Sequence, residues 1–248
     1  MKNISVHLHL YYEDAGSYLL NKLSKIWNGK IYLSLVHNNC ANDILLSLAN
    51  SMFSDIDIVY VDNKGTDQYG FLHSFKLNNE DTKWVLYWHD KHLSKKQWLD
   101  DLTDLFCIDE NIKDIKRYTN DISSCGIISS AKCRNKALSF HQIAELSPYM
   151  AIEYRQNIVR SYHAIIWLKE LQYLFKQKYN IYDENEIYPE FSAGTIFLAR
   201  RDIIAKAHSV MHNNYFEDCY RADGDVGHAL ERFYHYVSKC LGYTNKFI

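Results

Sequence analysis

The chain has no excess of charge, no paired-cysteine motif and no long apolar run, and each absence removes a class of function. Its 28 Lys and Arg stand against 30 Asp and Glu, a net charge of −2. The broad positive field that holds nucleic acid is therefore missing, and nucleic acid is not an expected partner. The six cysteines, at positions 40, 107, 125, 133, 219 and 240, include no Cys-x-x-Cys pair and no regular framework. That pattern suits reduced thiols in a cytosol and argues against structural zinc. No stretch approaches the roughly 18 uninterrupted apolar residues of a spanning helix. The N-terminal residues run straight into Val6-His7-Leu8-His9-Leu10 without the apolar core of a secretory signal. A cytoplasmic protein is expected, with peripheral contact at an inner membrane left open. Repeats, low-complexity tracts and linker-like segments are also absent, so one domain is expected over residues 1–248.

What is present is a hydrophobic content of 47%, sufficient for a proper core without staples. The 20 Tyr, 11 Phe and 5 Trp serve equally in cores and in carbohydrate-facing surfaces, and composition does not separate the two.

Periodicity organises the N-terminal half. Val6 to Leu10 alternates as a strand, Ala15 to Trp27 has a helical apolar face, and Ile31 to Val36 is a second strand. A helix over about Asn42 to Phe53 and a strand from Ile56 to Val61 repeat the unit, which implies a parallel sheet. A helix near Tyr69 to Lys76 leads to Trp84-Val85-Leu86-Tyr87-Trp88, a central buried strand. Trp98 to Phe106 predicts a helix and Gly126-Ile127-Ile128 a short strand. The region from about 138 to 180 is mainly helical, either a packing helix or an acceptor-side insertion. Phe191 to Arg200 reads as a turn followed by a buried strand, and two helices are expected to close the chain.

Four segments carry candidate chemistry. Asn63-Lys64-Gly65-Thr66-Asp67 follows a predicted parallel strand, and ligands bind outside the carboxyl ends of such strands. There Gly65 admits close approach of a ligand and Asp67 can accept from ribose or sugar hydroxyls; a plain turn satisfied by its own side chains is the competing reading. His89-Asp90-Lys91-His92 ends the central strand. With Lys91 as a point charge and His89 as a donor, a diphosphate can be neutralised without metal. The alternative is a metal held by His89, Asp90 and His92, which is disfavoured because adjacent strand residues face opposite sides. Gly194 sits in a turn, structural or beside a sugar. Asp223 lies at or just before the N-terminus of a helix carrying Val226, Leu230, Phe233 and Val237 on one face. It is either a cap or a general base that removes an acceptor hydroxyl proton. His228 and Glu231, three residues apart, share a helical face, and either look into the cleft or pair with Arg232, Lys239 and other surface charges.

The ordered series Val6 to Tyr12, Asn63 to Asp67, His89-Asp90-Lys91, Phe191 to Arg200 and Asp223 to Arg232 resembles the rhamnan synthesis protein F family over roughly residues 5 to 243. The resemblance implies a bacterial glycosyltransferase of surface polysaccharide assembly. Its fold would be of the GT-A type, a single Rossmann-like α/β domain with a mainly parallel central sheet flanked by helices. A hexosyltransferase moving L-rhamnose or another deoxysugar is implied, with a nucleotide-diphosphate sugar as donor and a glycan or lipid-linked acceptor as partners. By the same resemblance His9, Tyr11, Asn63, Gly65, Asp67, His89, Lys91 and Gly194 fall in the donor site, and Asp223, Glu231 and His228 in the catalytic region. An inverting reaction with no cofactor and no metal is expected. The alternative is a carbohydrate-binding or scaffold subunit that keeps the fold without donor chemistry, motivated by Lys64, Thr66 and His92. A metal-dependent hydrolase is a third reading.

Overall fold

The protein folds around a seven-stranded sheet whose strands lie in the order β3 (Asp55–Val61), β2 (Lys30–Val36), β1 (Ile4–Leu10), β4 (Trp84–His89), β8 (Phe197–Arg200), β5 (Cys125–Ser129) and β9 (Thr244–Phe247). The computed structural model describes residues 3–64, 66–78, 81–120, 123–137, 142, 152–181, 188–216 and 226–248. Strands β1 (Ile4–Leu10), β2 (Lys30–Val36), β3 (Asp55–Val61) and β4 (Trp84–His89) are parallel neighbours. They are linked by helices α1 (Glu13–Ser24), α2 (Asn42–Met52) and α3 (Thr66–Leu77). Both the repeating strand and helix pattern and the mainly parallel sheet agree with the periodicity of the sequence.

The second half is less regular. Helices α4 (Lys96–Thr103) and α5 (Asp109–Asn120) precede β5 (Cys125–Ser129). Short β6 (Arg134–Lys136) and β7 (Glu190–Ser192) form a separate antiparallel pair. Helix α6 (Ile152–Tyr179) accounts for the helical stretch predicted from about 138, most of the rest of which lies outside the described residues. Then come β8 (Phe197–Arg200), α7 (Arg201–His208), α8 (Val226–Cys240) and β9 (Thr244–Phe247). Three features add to or correct the sequence reading. β8 runs antiparallel to both β4 and β5. α5 was not anticipated, because its apolar face is thin in a polar segment. The chain closes on the edge strand β9 rather than on a helix, since four residues with a single aromatic give no periodicity to read.

Alternation along β1 and β4 sorts the two layers. Register pairs Leu8 with Trp88 and Val6 with Leu86 on one face, and His7 with Tyr87 and His9 with His89 on the other. The aliphatic face packs on Leu19, Leu23, Leu45, Leu99 and Ile115 from α1, α2, α4 and α5. The aromatic face packs on Phe71, Leu168, Ile204 and Phe233 from α3, α6, α7 and α8. Each layer buries apolar area at roughly 25 cal/mol per Å².

The strand order changes direction at β1. From β1 the chain steps outward to β2 and β3, then returns to place β4 on the other side of β1. The carboxyl ends of β1 and β4 therefore flank a topological switch point, where an open α/β sheet presents its crevice.

Candidate functional site

Asp67, in the first turn of α3, is a carboxylate that the fold buries and keeps charged. It is 8% exposed, and the N-terminal end of the helix favours an anion there. Gln68 Nε2 donates to its Oδ2 at 2.6 Å, and the Tyr87 hydroxyl donates to its carbonyl at 2.8 Å and reaches Oδ2 at 3.4 Å. His89 Nε2 lies 3.6 Å from the same oxygen. Burial alone raises a carboxylate, but the charges of His89, Lys91 and His9 and the Gln68 hydrogen bond outweigh it and hold Asp67 at about 2.

His89 is 1% exposed at the end of β4. Its Nε2 meets the Gly194 carbonyl at 2.5 Å and its Nδ1 meets the Asp90 carbonyl at 3.1 Å. Two carbonyl acceptors are both satisfied only by a doubly protonated ring, whereas burial pulls the ring below its ordinary value. His9, its register neighbour, faces Ser34 Oγ at 3.0 Å, and that hydroxyl donates onward to the Leu8 carbonyl at 3.1 Å. Its Nδ1 therefore carries the proton of a neutral ring, and burial sets its value at about 4. Gly70 of α3 presses against this ring: a Cβ there would fall 2.1 Å from His9 Nδ1.

Gly194 reaches His89 because β8 is antiparallel to β4, which carries the residues just before β8 past the carboxyl end of β4. The turn is strained, with φ of +102° at Gly194 and +51° at the β-branched Thr195. Glu231 of α8 braces it: Oε1 accepts from Gly194 N at 3.2 Å and from Thr195 Oγ1 at 2.9 Å. The position of the absent Gly194 side chain is taken by Trp98 and Leu102 of α4, each 2.7 Å from where a Cβ would be. The Lys91 ammonium sits 5.2 Å from the centre of the Trp98 ring.

Asp90 turns to the opposite side of the strand end. Its Oδ2 accepts from the amides of Tyr11 (2.8 Å) and Tyr12 (2.7 Å), so the loop between β1 and α1 is capped by the protein's own carboxylate. Burial lifts Asp90 to about 7 against those two amides and Lys91. The His92 side chain is exposed and caps Ser94. His89, Asp90 and His92 thus point in three directions and do not converge on a metal. Among the described residues, no three His, Cys, Asp or Glu side chains form a metal-binding group.

The structure brings His9, Asp67, His89, Lys91, Gly194 and Glu231 together. Tyr11 joins at the rim through its backbone, which Asn39 also holds by a 2.6 Å bond to the carbonyl. Asn63 is exposed on the approach to α3, away from these contacts. His228 is half-buried, and its carbonyl accepts from Arg232 Nη1. Gly65 and Asp223 lie outside the described residues. Sequence reasoning missed Gln68, Tyr87, Thr195 and Trp98. Tyr87 was legible, two residues before His89 and so on the same face; the others announce themselves only in three dimensions. A separate hollow of about 500 Å³ between α1 and α5, lined by Lys22, Ile26, Ile112 and Lys116 among others, contains none of the predicted residues.

An open, mainly parallel sheet with charged and polar side chains gathered at its switch point defines an α/β protein, and in such sheets the switch point is where ligands bind. The chain belongs to the family described as Rhamnan synthesis protein F, whose sequence profile matches residues 1–243. Membership associates it with rhamnan polysaccharide synthesis. No curated protein sequence matches the chain. Among the described residues no helix is long and apolar enough to cross a membrane.

Proposed function

We propose that the protein is a GT-A-like glycosyltransferase that moves L-rhamnose or another deoxysugar from a nucleotide-diphosphate donor to a growing bacterial surface polysaccharide or lipid-linked acceptor. The observation that carries this reading is the assembly of Asp67, His89, Lys91 and Gly194 at the switch point of a chain in a rhamnan-synthesis family. Lys91 lies close enough to Asp67 and His89 to perturb both, so its ammonium is available to a diphosphate entering the crevice. Asp90 already occupies the Tyr11 and Tyr12 amides, so charge on the leaving group falls to Lys91 rather than to that loop.

In the proposed inverting displacement the Asp223 carboxylate takes the proton of the acceptor hydroxyl as its oxygen attacks the anomeric carbon. The bond to the donor oxygen breaks with its electron pair remaining on the diphosphate, which Lys91 neutralises. Glu231 maintains the turn that presents Gly194 to the sugar. The reaction proceeds without metal, near the membrane that carries the acceptor.

The test is a thermal-shift panel of dTDP-, UDP-, GDP- and CMP-linked sugars and their free nucleotides, each with manganese or with EDTA. One nucleoside diphosphate is expected to raise the melting temperature equally in both conditions. Loss of the shift in EDTA would overturn the metal-free mechanism. No shift with any nucleotide, with and without a rhamnan acceptor, would favour the scaffold subunit instead.

A further inference from the structure

Behind Asp67 a line of buried polar groups runs through the core on the aromatic side of the sheet. His208 of α7 meets the Tyr234 hydroxyl of α8 at 2.9 Å, and that hydroxyl donates to Gln68 Oε1 of α3 at 3.1 Å. Gln68 Nε2 then donates to Asp67 Oδ2 at 2.6 Å. His208 is 9% exposed, Gln68 1% and Tyr234 0%.

The polarity of this line is determined by counting protons. Tyr234 has one hydroxyl proton, and Gln68 receives it, so His208 must donate from Nε2. His208 Nδ1 is buried with no hydrogen-bond partner among the described residues, which suits the unprotonated nitrogen of a neutral ring. Burial and the nearby Lys76 hold the His208 ring far below its ordinary value, in agreement. With Oε1 accepting, the Gln68 amide can present only its NH₂ to the carboxylate. Every donor in the line therefore points toward Asp67, and among the described residues the contacts on the carboxylate, from Gln68, Tyr87 and His89, land on Oδ2. Oδ1 is outside the line.

We infer that Gln68, Tyr234 and His208 are positioning residues, a one-way relay that fixes the Asp67 carboxylate in rotation and charge so that Oδ1 is presented to the bound nucleotide sugar. The inference rests on the glycosyltransferase reading of the crevice. The relay also ties α8, the helix that follows the Asp223 segment, to the donor-side turn at Asp67, so the two halves of the site share one hydrogen-bonded frame.

The experiment is a double-mutant cycle of Tyr234→Phe and Gln68→Leu, read by the affinity of dTDP and UDP and by urea unfolding of the unliganded protein. Tyr234→Phe removes one hydroxyl and keeps the ring. Because Gln68 stands between Tyr234 and Asp67, the relay predicts that Tyr234→Phe weakens nucleotide binding roughly tenfold in the wild-type background and less than about twofold once Gln68 is Leu. Unliganded stability should be non-additive in the same sense. Equal losses of affinity in both backgrounds would overturn the relay and leave Tyr234 a packing residue. If neither nucleotide binds the wild type, the reading of the site fails. In that case the presentation of Oδ1 to a nucleotide falls with it, and the unliganded cycle tests only the hydrogen-bonded line, which additivity would overturn.

Discussion

Lowering the pH from 7 to 5 should cost this protein about 6 kcal/mol of folding stability, because the core holds several histidines that cannot take up a proton without unfolding. Burial pulls His7, His208 and His235 down to about 3 and His9 to about 4, from an ordinary 6.5. Between those values and 6.5 the unfolded chain binds protons that the folded chain does not. Their stabilisation is therefore complete above 6.5 and is lost as pH falls. At pH 5 the loss is about 2 kcal/mol for each ring, or about 8 for the four together. Asp90 works in the opposite direction. Its folded value of about 7 against an ordinary 3.8 means that acidification to pH 5 returns about 2 kcal/mol. Asp67, at about 2, contributes stability that is lost only below about pH 4, outside this window. The net loss is comparable to the roughly 5–15 kcal/mol by which domains are stable at all. Urea unfolding followed by tryptophan fluorescence at pH 7, 6 and 5 measures it directly. His235→Leu, which removes a ring stacked on Phe247, should reduce the loss by about 2 kcal/mol. A change below about 1 kcal/mol between pH 7 and 5, or an unaltered pH slope in His235→Leu, would refute the reasoning.

Three substitutions test the site. Gly70→Ala forces a methyl onto the His9 ring and should cost about 1–3 kcal/mol by urea unfolding, in spite of the better helix propensity of alanine. Gly194→Ala strains a left-handed backbone and collides with Trp98 and Leu102; a loss of about 1–3 kcal/mol is expected. Sugar transfer should fall with it, because the turn that Glu231 and His89 hold is displaced. Lys91→Met should lower urea stability modestly, because the ammonium steadies the buried Asp67 and Asp90 carboxylates, while weakening nucleoside diphosphate binding by roughly ten- to a hundredfold, the worth of a hydrogen bond to a charged group. Calorimetry that finds undiminished affinity would remove Lys91 from the donor site.

Much of the fold was legible because its first half is built from local periodicity. Alternation in Val6 to Leu10 and the continuous apolar run at Trp84 to Trp88 specify strands. The three- and four-residue spacing in α1 and α2 specifies helices, and the short distances between them leave a parallel sheet as the economical arrangement. The second half resisted because β6, β7, β8 and β9 are each only three or four residues long and are stabilised by partners distant in sequence. The direction of β8 depends on its neighbours β4 and β5, which no local pattern encodes.

By itself the sequence determined which residues carry charge, which segments end at strand tips and which layers can be buried. Those are properties of spacing and side-chain type. Only the tertiary structure decided that Asp90 turns to the Tyr11 and Tyr12 amides instead of toward His89, since adjacent strand residues face opposite sides and the partner amides lie some 80 positions away. It likewise brought Glu231 to Gly194 and aligned His208, Tyr234 and Gln68 behind Asp67. A buried polar group is satisfied by whatever the fold places within 3 Å of it, and that proximity is created by the packing of α3, α7 and α8 on one face of the sheet rather than by neighbours along the chain.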